Sequence, residues 1–213
     1  DLSSRTLVLT CSAPMQDTGT RQQIVDAADD LFYRQGFEHT SFAHIAAAVG
    51  ISRGNFYHHF KTKDQILDAV IGMRLAHTEG MLAQWQAQGA TPAQRIRSFI
   101  HLLITNQAPI MEHGCPVGTL CSELAKLGHP ALTQAGGLFT LFRRWLGQQF
   151  VLAGRRSDAD ALALHLLARS QGVAVLAQTF RDADFVRNEV RQMEAWLDTA
   201  LAPEPRRTTT TGR

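Results

Sequence analysis

From Ile24 to Leu201 the apolar residues return at three- and four-residue intervals, and no strand-length stretch alternates every second residue between turn signals. That regularity confines the chain to an all-α fold. Ile24, Ala28, Leu31 and Phe32 share one helical face, and Gly36 ends this first helix. Thr40 or Ser41 then caps a short helix whose inward face is Phe42, Ile45, Ala46 and Val49. Gly50, free to take positive φ, permits a tight turn. Ser52 caps a second short helix that stops before Phe60.

A long helix starts near Lys63, with apolar contacts running from Ile66, Leu67, Val70 and Ile71 to Met81, Leu82 and Trp85. The segment Gly89–Pro92 breaks it, Thr91 serving as N-cap and Pro92 as the first helical residue. Further helices are predicted over 93–112, 117–127, 131–153, 158–180 (capped by Ser157) and 184–201, which makes nine.

At 213 residues the chain can bury a substantial core. Its net charge of +2 is nearly neutral, so contact with a polyanion must come from local clustering. Cys11, Cys115 and Cys121 form an odd set without disulfide spacing. No apolar run reaches membrane-spanning length, and the stretch around Leu7–Leu9 is too short for a signal-peptide core. These features point to a cytoplasmic location. Residues 1–18 read as a flexible arm, with Met15 a candidate natural start, and 203–213 as a disordered Pro-, Arg- and Thr-rich tail.

The segment Thr40–Lys63 contains no Asp or Glu but carries Arg53, Lys61, Lys63 and three histidines. A capped helix, a glycine turn and a second capped helix free of acids form a surface suited to phosphates. An ordinary solvated helix pair is the plainer alternative. Phe56 and Phe60 anchor the second helix inward, leaving Arg53, Asn55, Tyr57, His58 and His59 outside. Arg53 has the forked donor geometry for guanine or phosphate, and Asn55 can pair bidentately with adenine. Gly54 allows close backbone approach. Tyr57, His59, Lys61 and Lys63 are expected at phosphates, and Thr40, Ser41 and Ser52 at the helix starts complete the DNA-facing set.

Thr20–Leu67, TRQQIVDAADDLFYRQGFEHTSFAHIAAAVGISRGNFYHHFKTKDQIL, resembles the helix-turn-helix of the TetR family of transcriptional repressors, including the Tyr-x-His-Phe-x-x-Lys run at Tyr57–Lys63. The resemblance implies a three-helix DNA-binding head over 19–64 and a ligand-binding and dimerisation body over 65–202. It implies a homodimer on a palindromic operator, an inducer pocket in the body, and dimerisation through the last two long helices. Those helices offer Leu162, Leu166, Leu167, Val173, Leu176, Met193, Trp196 and Leu197 for a four-helix seam, the plainer alternative being the core of a monomer.

Gly114–Glu123 carries a Gly-Cys-x-x-Gly-x-Leu-x-x-Glu pattern. It resembles a subset of these regulators that respond to lipophilic drugs, plant phenolics or reactive electrophiles. Three roles for Cys115 stand open: a small packing residue, a sensing thiol made more acidic at a helix start with help from His113, or a metal ligand with His113 and Cys121. The six-residue separation of the two cysteines is not a zinc spacing. Candidate ligand-binding residues are Met81, Trp85, Phe99, Met111, Cys115, Phe139 and Phe142, with Met73, Leu103 and Trp145 as further walls. Glu79, Glu112 and Glu123 could face a cationic ligand, with a solvent-exposed Glu79 and a Glu123 that supports a helix start as the alternatives.

No phosphate-cradling glycine loop, His-Glu-x-x-His or nucleophile elbow is present, so an enzyme is not expected. The sequence thus points to a ligand-responsive repressor with double-stranded operator DNA, a small inducer and a second copy of itself as partners, and neither cofactor nor membrane. A repressor using Cys115 to sense electrophiles or oxidants is the alternative.

Overall fold

A computed structural model describes residues 19–202, and those residues are all-α. The helices are α1 Thr20–Gln35, α2 Phe42–Val49, α3 Arg53–His59, α4 Lys63–Gln88, α5 Pro92–Thr105, α6 Gln107–His113, α7 Pro116–Lys126, α8 Leu132–Leu152, α9 Ala159–Phe180 and α10 Ala183–Leu201. The expected arm over 1–18 and tail over 203–213 lie outside the described residues.

The predicted segment 93–112 is one helical path with a bend at Asn106, which divides α5 from α6. Pro109 accounts for the bend. It has no N–H to offer the Thr105 carbonyl, and its ring crowds that carbonyl. The other boundaries follow capping chemistry. Ser41 caps α2 in a reciprocal box with His44, Ser52 caps α3, Thr62 caps α4, and Thr91 caps α5 in a box with Gln94. Ser157 does not cap α9, which begins after Asp158 without a side-chain cap bond.

Two apolar cores result. One, around α5, α8, α9 and α10, is built on Ile96, Ile100, Leu146, Phe150, Leu166 and Met193. The other joins α1 to α4 through Ile24, Phe32, Ile45, Phe56, Phe60 and Leu67, and it also takes in Leu120 and Leu124 of α7 and Ala135 of α8. Phe56, Phe60, Leu67 and Leu124 are essentially inaccessible, each adding about 1.5–3 kcal/mol by burial. The small N-terminal head therefore shares its core with the body.

Of the eight residues assigned to a seam between subunits, Leu166, Leu167, Val173, Met193 and Leu197 are buried inside this protomer's own core instead. The large apolar side chains that α9 leaves exposed are Leu164, Val175, Leu176 and Phe180.

Candidate nucleic-acid interface and body cavity

The second short helix, α3, presents the surface that its sequence demands. Phe56 and Phe60 are buried, and Arg53, Gly54, Asn55, Tyr57 and His58 are exposed with His59 half-buried. The Tyr57 ring stands edge-on to Phe42 at 5.5 Å, which fixes its direction while leaving it 45% exposed. The Ser41 and Ser52 hydroxyls accept the His44 and Asn55 amide protons, so these two side chains hold helix starts together and stay exposed. Lys61 is exposed, and its ammonium bonds back to the Tyr57 carbonyl.

Two expected DNA contacts are corrected. Thr40 is 1% exposed; its hydroxyl donates to the Gly36 carbonyl at 2.7 Å and accepts from Gln35, so it closes the α1–α2 loop and cannot reach a phosphate. Lys63 points the other way from the expectation. Its ammonium donates to the Phe37 and Glu38 carbonyls at 3.0 and 3.2 Å and lies 4.3 Å over the Phe37 ring, pinning that loop to the start of α4.

Three side chains fasten the head to the α6–α7 segment. The Tyr33 hydroxyl shares its one proton between the Gly114 carbonyl at 2.8 Å and the Pro109 carbonyl at 3.0 Å, and burial pushes its pKa up, so it remains a donor. Arg74, 6% exposed, donates from Nε to Asp29 at 2.5 Å and from Nη1 to the Pro116 carbonyl at 2.7 Å. Burial raises the Asp29 carboxyl pKa, and the Arg74 guanidinium works against that rise. Finally, the Glu123 carboxylate accepts the Phe37 and Glu38 amide protons at 2.9 and 2.8 Å. Glu123 is thus a head clamp rather than a partner for a cationic ligand.

These bonds explain the Gly-Cys-x-x-Gly-x-Leu-x-x-Glu pattern residue by residue. Gly114 takes φ +82°, closed to most side chains. Cys115 is the N-cap, its sulfur 3.4 Å from the Gly118 amide, and Pro116 is the first helical residue. Gly118 leaves room for Gln171 of α9, whose Oε1 would lie 2.3 Å from an added Cβ. Leu120 is buried in the shared core and Glu123 clamps the head.

Behind this segment lies an apolar cavity of about 70 Å³. Phe99, Cys115, Phe139 and Phe142 line it as expected, as does Leu103. Met81, Trp85 and Met111 do not: Met81 is core, Trp85 packs on Trp145 at 5.6 Å, and Met111 packs half-buried against the core. Met73 and Trp145 are likewise outside the lining, and so are Glu79 and Glu112, both exposed. Cys115 takes a second contact from Gln171 Nε2 at 3.5 Å. Burial raises the Cys121 thiol pKa. The His113 ring meets Tyr33 edge-on at 5.3 Å.

Comparison with known proteins resolves the family. A sequence model described as bacterial regulatory proteins, tetR family, matches residues 24–70. The transcriptional regulator TtgR of Pseudomonas putida is 40% identical over 193 residues, covering 85% of this chain and 90% of TtgR. The chain belongs to the TetR family. The transcriptional repressor KstR2 of Rhodococcus jostii is 29% identical over 173 residues, covering 76% of this chain and 83% of its own. A TetR transcriptional regulator from Legionella pneumophila has the same fold, with a TM-score of 0.75 at 22% identity over 88% of this chain and all of the other.

As a TetR-family chain, the molecule is a DNA-binding transcriptional regulator. The cavity residues that sequence reasoning passed over are mainly Tyr33, Asn106, Pro109, Ser170 and Gln171. Pro109 inside a helical pattern was an available signal. Tyr33 was not, because nothing in α1 shows that its last turn abuts a cavity wall 76–81 residues away.

Proposed function

We propose that this regulator is a ligand-responsive repressor that binds a palindromic operator as a homodimer and is released by a small lipophilic or aromatic inducer. One observation carries the reading: the α6–α7 segment that walls the apolar cavity also holds the head, through Tyr33, Arg74 and Glu123. A ligand that parts the cavity wall strains these bonds, and through Arg74 and Lys63 the strain reaches α4 and the α1–α2 loop. Each protomer presents α3 to a major groove, and a pair of heads about 34–36 Å apart would meet adjacent grooves. The exposed apolar row on α9, with Val175 and Phe180 more than 60% exposed, supports pairing with a second copy. Binding of the full chain to its upstream DNA, followed by fluorescence anisotropy with and without aromatic compounds, tests this. Preference for one fragment, lost on adding a compound, supports the reading, and compound-independent binding refutes the ligand response.

A second reading rests on Cys115. Its sulfur receives N–H groups from Gly118 and Gln171, and it lies in the cavity wall. Release of DNA by thiol-reactive compounds, abolished by Cys115→Ser, would select it over reversible ligand binding.

A further inference from the structure

Of the two buried side-chain polar atoms left without a partner among the described residues, Asn106 Oδ1 belongs to the cavity wall. Asn106 is 5% exposed, and its orientation is settled by its own amide nitrogen, which donates to the Leu102 carbonyl at 3.1 Å. The oxygen is therefore the unpaired end, with almost no surface exposed while the cavity is closed. A buried acceptor without a donor costs about 1–3 kcal/mol, and a protein carries such a cost where another molecule relieves it.

The rest of the wall makes the open position selective. Among the described residues no charged side chain lines the cavity, so neither an anion nor a cation finds a counter-charge there. Each polar side chain in the wall already directs an N–H or O–H group to a protein acceptor. Tyr33 donates to Pro109 and Gly114, Ser170 to the Leu167 carbonyl at 2.8 Å, and Gln171 to Cys115. The wall keeps some donor capacity in the second N–H of each amide, but its one buried polar atom without any partner is an acceptor, Asn106 Oδ1. Phe99, Phe139 and Phe142 supply flat apolar surface around it.

We infer that the cavity takes a neutral, mainly apolar ligand bearing a hydroxyl or N–H donor, and that Asn106 Oδ1 accepts that donor. This rests on the ligand-responsive reading and narrows its ligand class. A carbonyl or ether compound of the same shape leaves Asn106 orphaned. A carboxylate brings a charge with nothing to meet it. At about 70 Å³ the cavity is far below the size of a usual ligand pocket, so binding opens it, and the apolar part of the ligand sets how far.

The test uses the full chain and three probes of one shape: 4-propylphenol, its methyl ether and 4-propylbenzoate, with direct binding read by calorimetry and DNA release read separately by anisotropy. The phenol should bind about tenfold more tightly than the ether, and the benzoate weakest. Asn106→Leu should bring phenol and ether to equal affinity, whereas Thr140→Ala, an exposed position outside the cavity, should keep the preference. Equal binding of phenol and ether to the unaltered protein, or binding of neither, overturns the inference whether or not any variant folds. So does a preference that survives in a folded Asn106→Leu protein. Release of DNA by phenol and ether alike overturns the donor rule and leaves the ligand-responsive reading standing. A phenol preference without DNA release supports the donor site and counts against that reading.

Discussion

The Glu123 carboxylate accepts the amide proton of Phe37 at 2.9 Å, joining the loop after α1 to the third turn of α7 across 86 positions of sequence. It accepts the neighbouring Glu38 amide as well, and the space above it is left by Gly36, whose added Cβ would lie 2.9 Å from a carboxylate oxygen. The position of α7 and the path of the chain into α2 are therefore one geometric variable.

Removing this clamp should uncouple the two. Glu123→Ala loses two charge-assisted bonds, each worth about 1.5–3 kcal/mol at most for a half-buried group. The expected result is a lowered melting temperature together with a loss of operator affinity in the protein that remains folded and a weakened response to any inducing compound. Melting curves and anisotropy titrations on the same preparation separate the two effects.

The Asp29–Arg74 pair gives a pH signature. Arg74→Met strands a buried carboxyl and should cost about 3–5 kcal/mol near neutral pH. Burial already raises the Asp29 pKa above its ordinary 3.8, and losing the guanidinium raises it further. A group with a raised folded pKa favours the folded state below the unfolded pKa and loses that contribution as pH rises through the folded one. The stability gap between wild type and Arg74→Met should thus widen from pH 4.5 to pH 7.5, read by urea denaturation. A gap constant across that range would argue that the carboxyl does not titrate there.

Lys61 and Lys63 should part company. Lys61 is exposed on the α3 side and able to turn toward phosphate, so Lys61→Ala should weaken binding to all DNA sequences and reduce the salt slope by about 0.9. Lys63 is committed to Phe37 and Glu38, so Lys63→Ala should lower the melting temperature with little change in that slope. Arg53→Ala and Asn55→Ala should each erode discrimination between operator and random DNA by about 1–3 kcal/mol. Salt-dependent anisotropy distinguishes all four.

The exposed row on α9 predicts the assembly. Phe180→Glu places a charge among Val175, Leu176 and the rim of α9, where it stays solvated in a monomer but is buried by a partner. Light scattering should show half the mass of the unaltered protein, with the helical content unchanged.

Fold class and most helix boundaries were legible because the signals are local: apolar spacing, Ser41, Ser52 and Thr91 as caps, and Gly50 in the left-handed region at φ +74°. The outward set of α3 was legible for the same reason, since a helix with Phe56 and Phe60 inward leaves few choices for its other face. Long-range pairings were not. Lys63 looks like a phosphate contact by position, and only the folded chain shows Phe37 and Glu38 carbonyls waiting for it. Leu166 and Met193 carry the same apolar signal whether they face their own core or a partner's. The cavity was half legible: Phe99 and Phe142 by type, Asn106 not at all, because an orphaned oxygen has no signature in composition.

Leu120 and Leu124 close the underside of the head from α7. A chimera that swapped residues 19–62 onto another repressor's body would leave Phe37 and its neighbours against foreign side chains and remove the carboxylate that holds the loop. To retarget this regulator to a new operator, the exchange must stop at the exposed face of α3. To give an existing head a new input, α7 must travel with it.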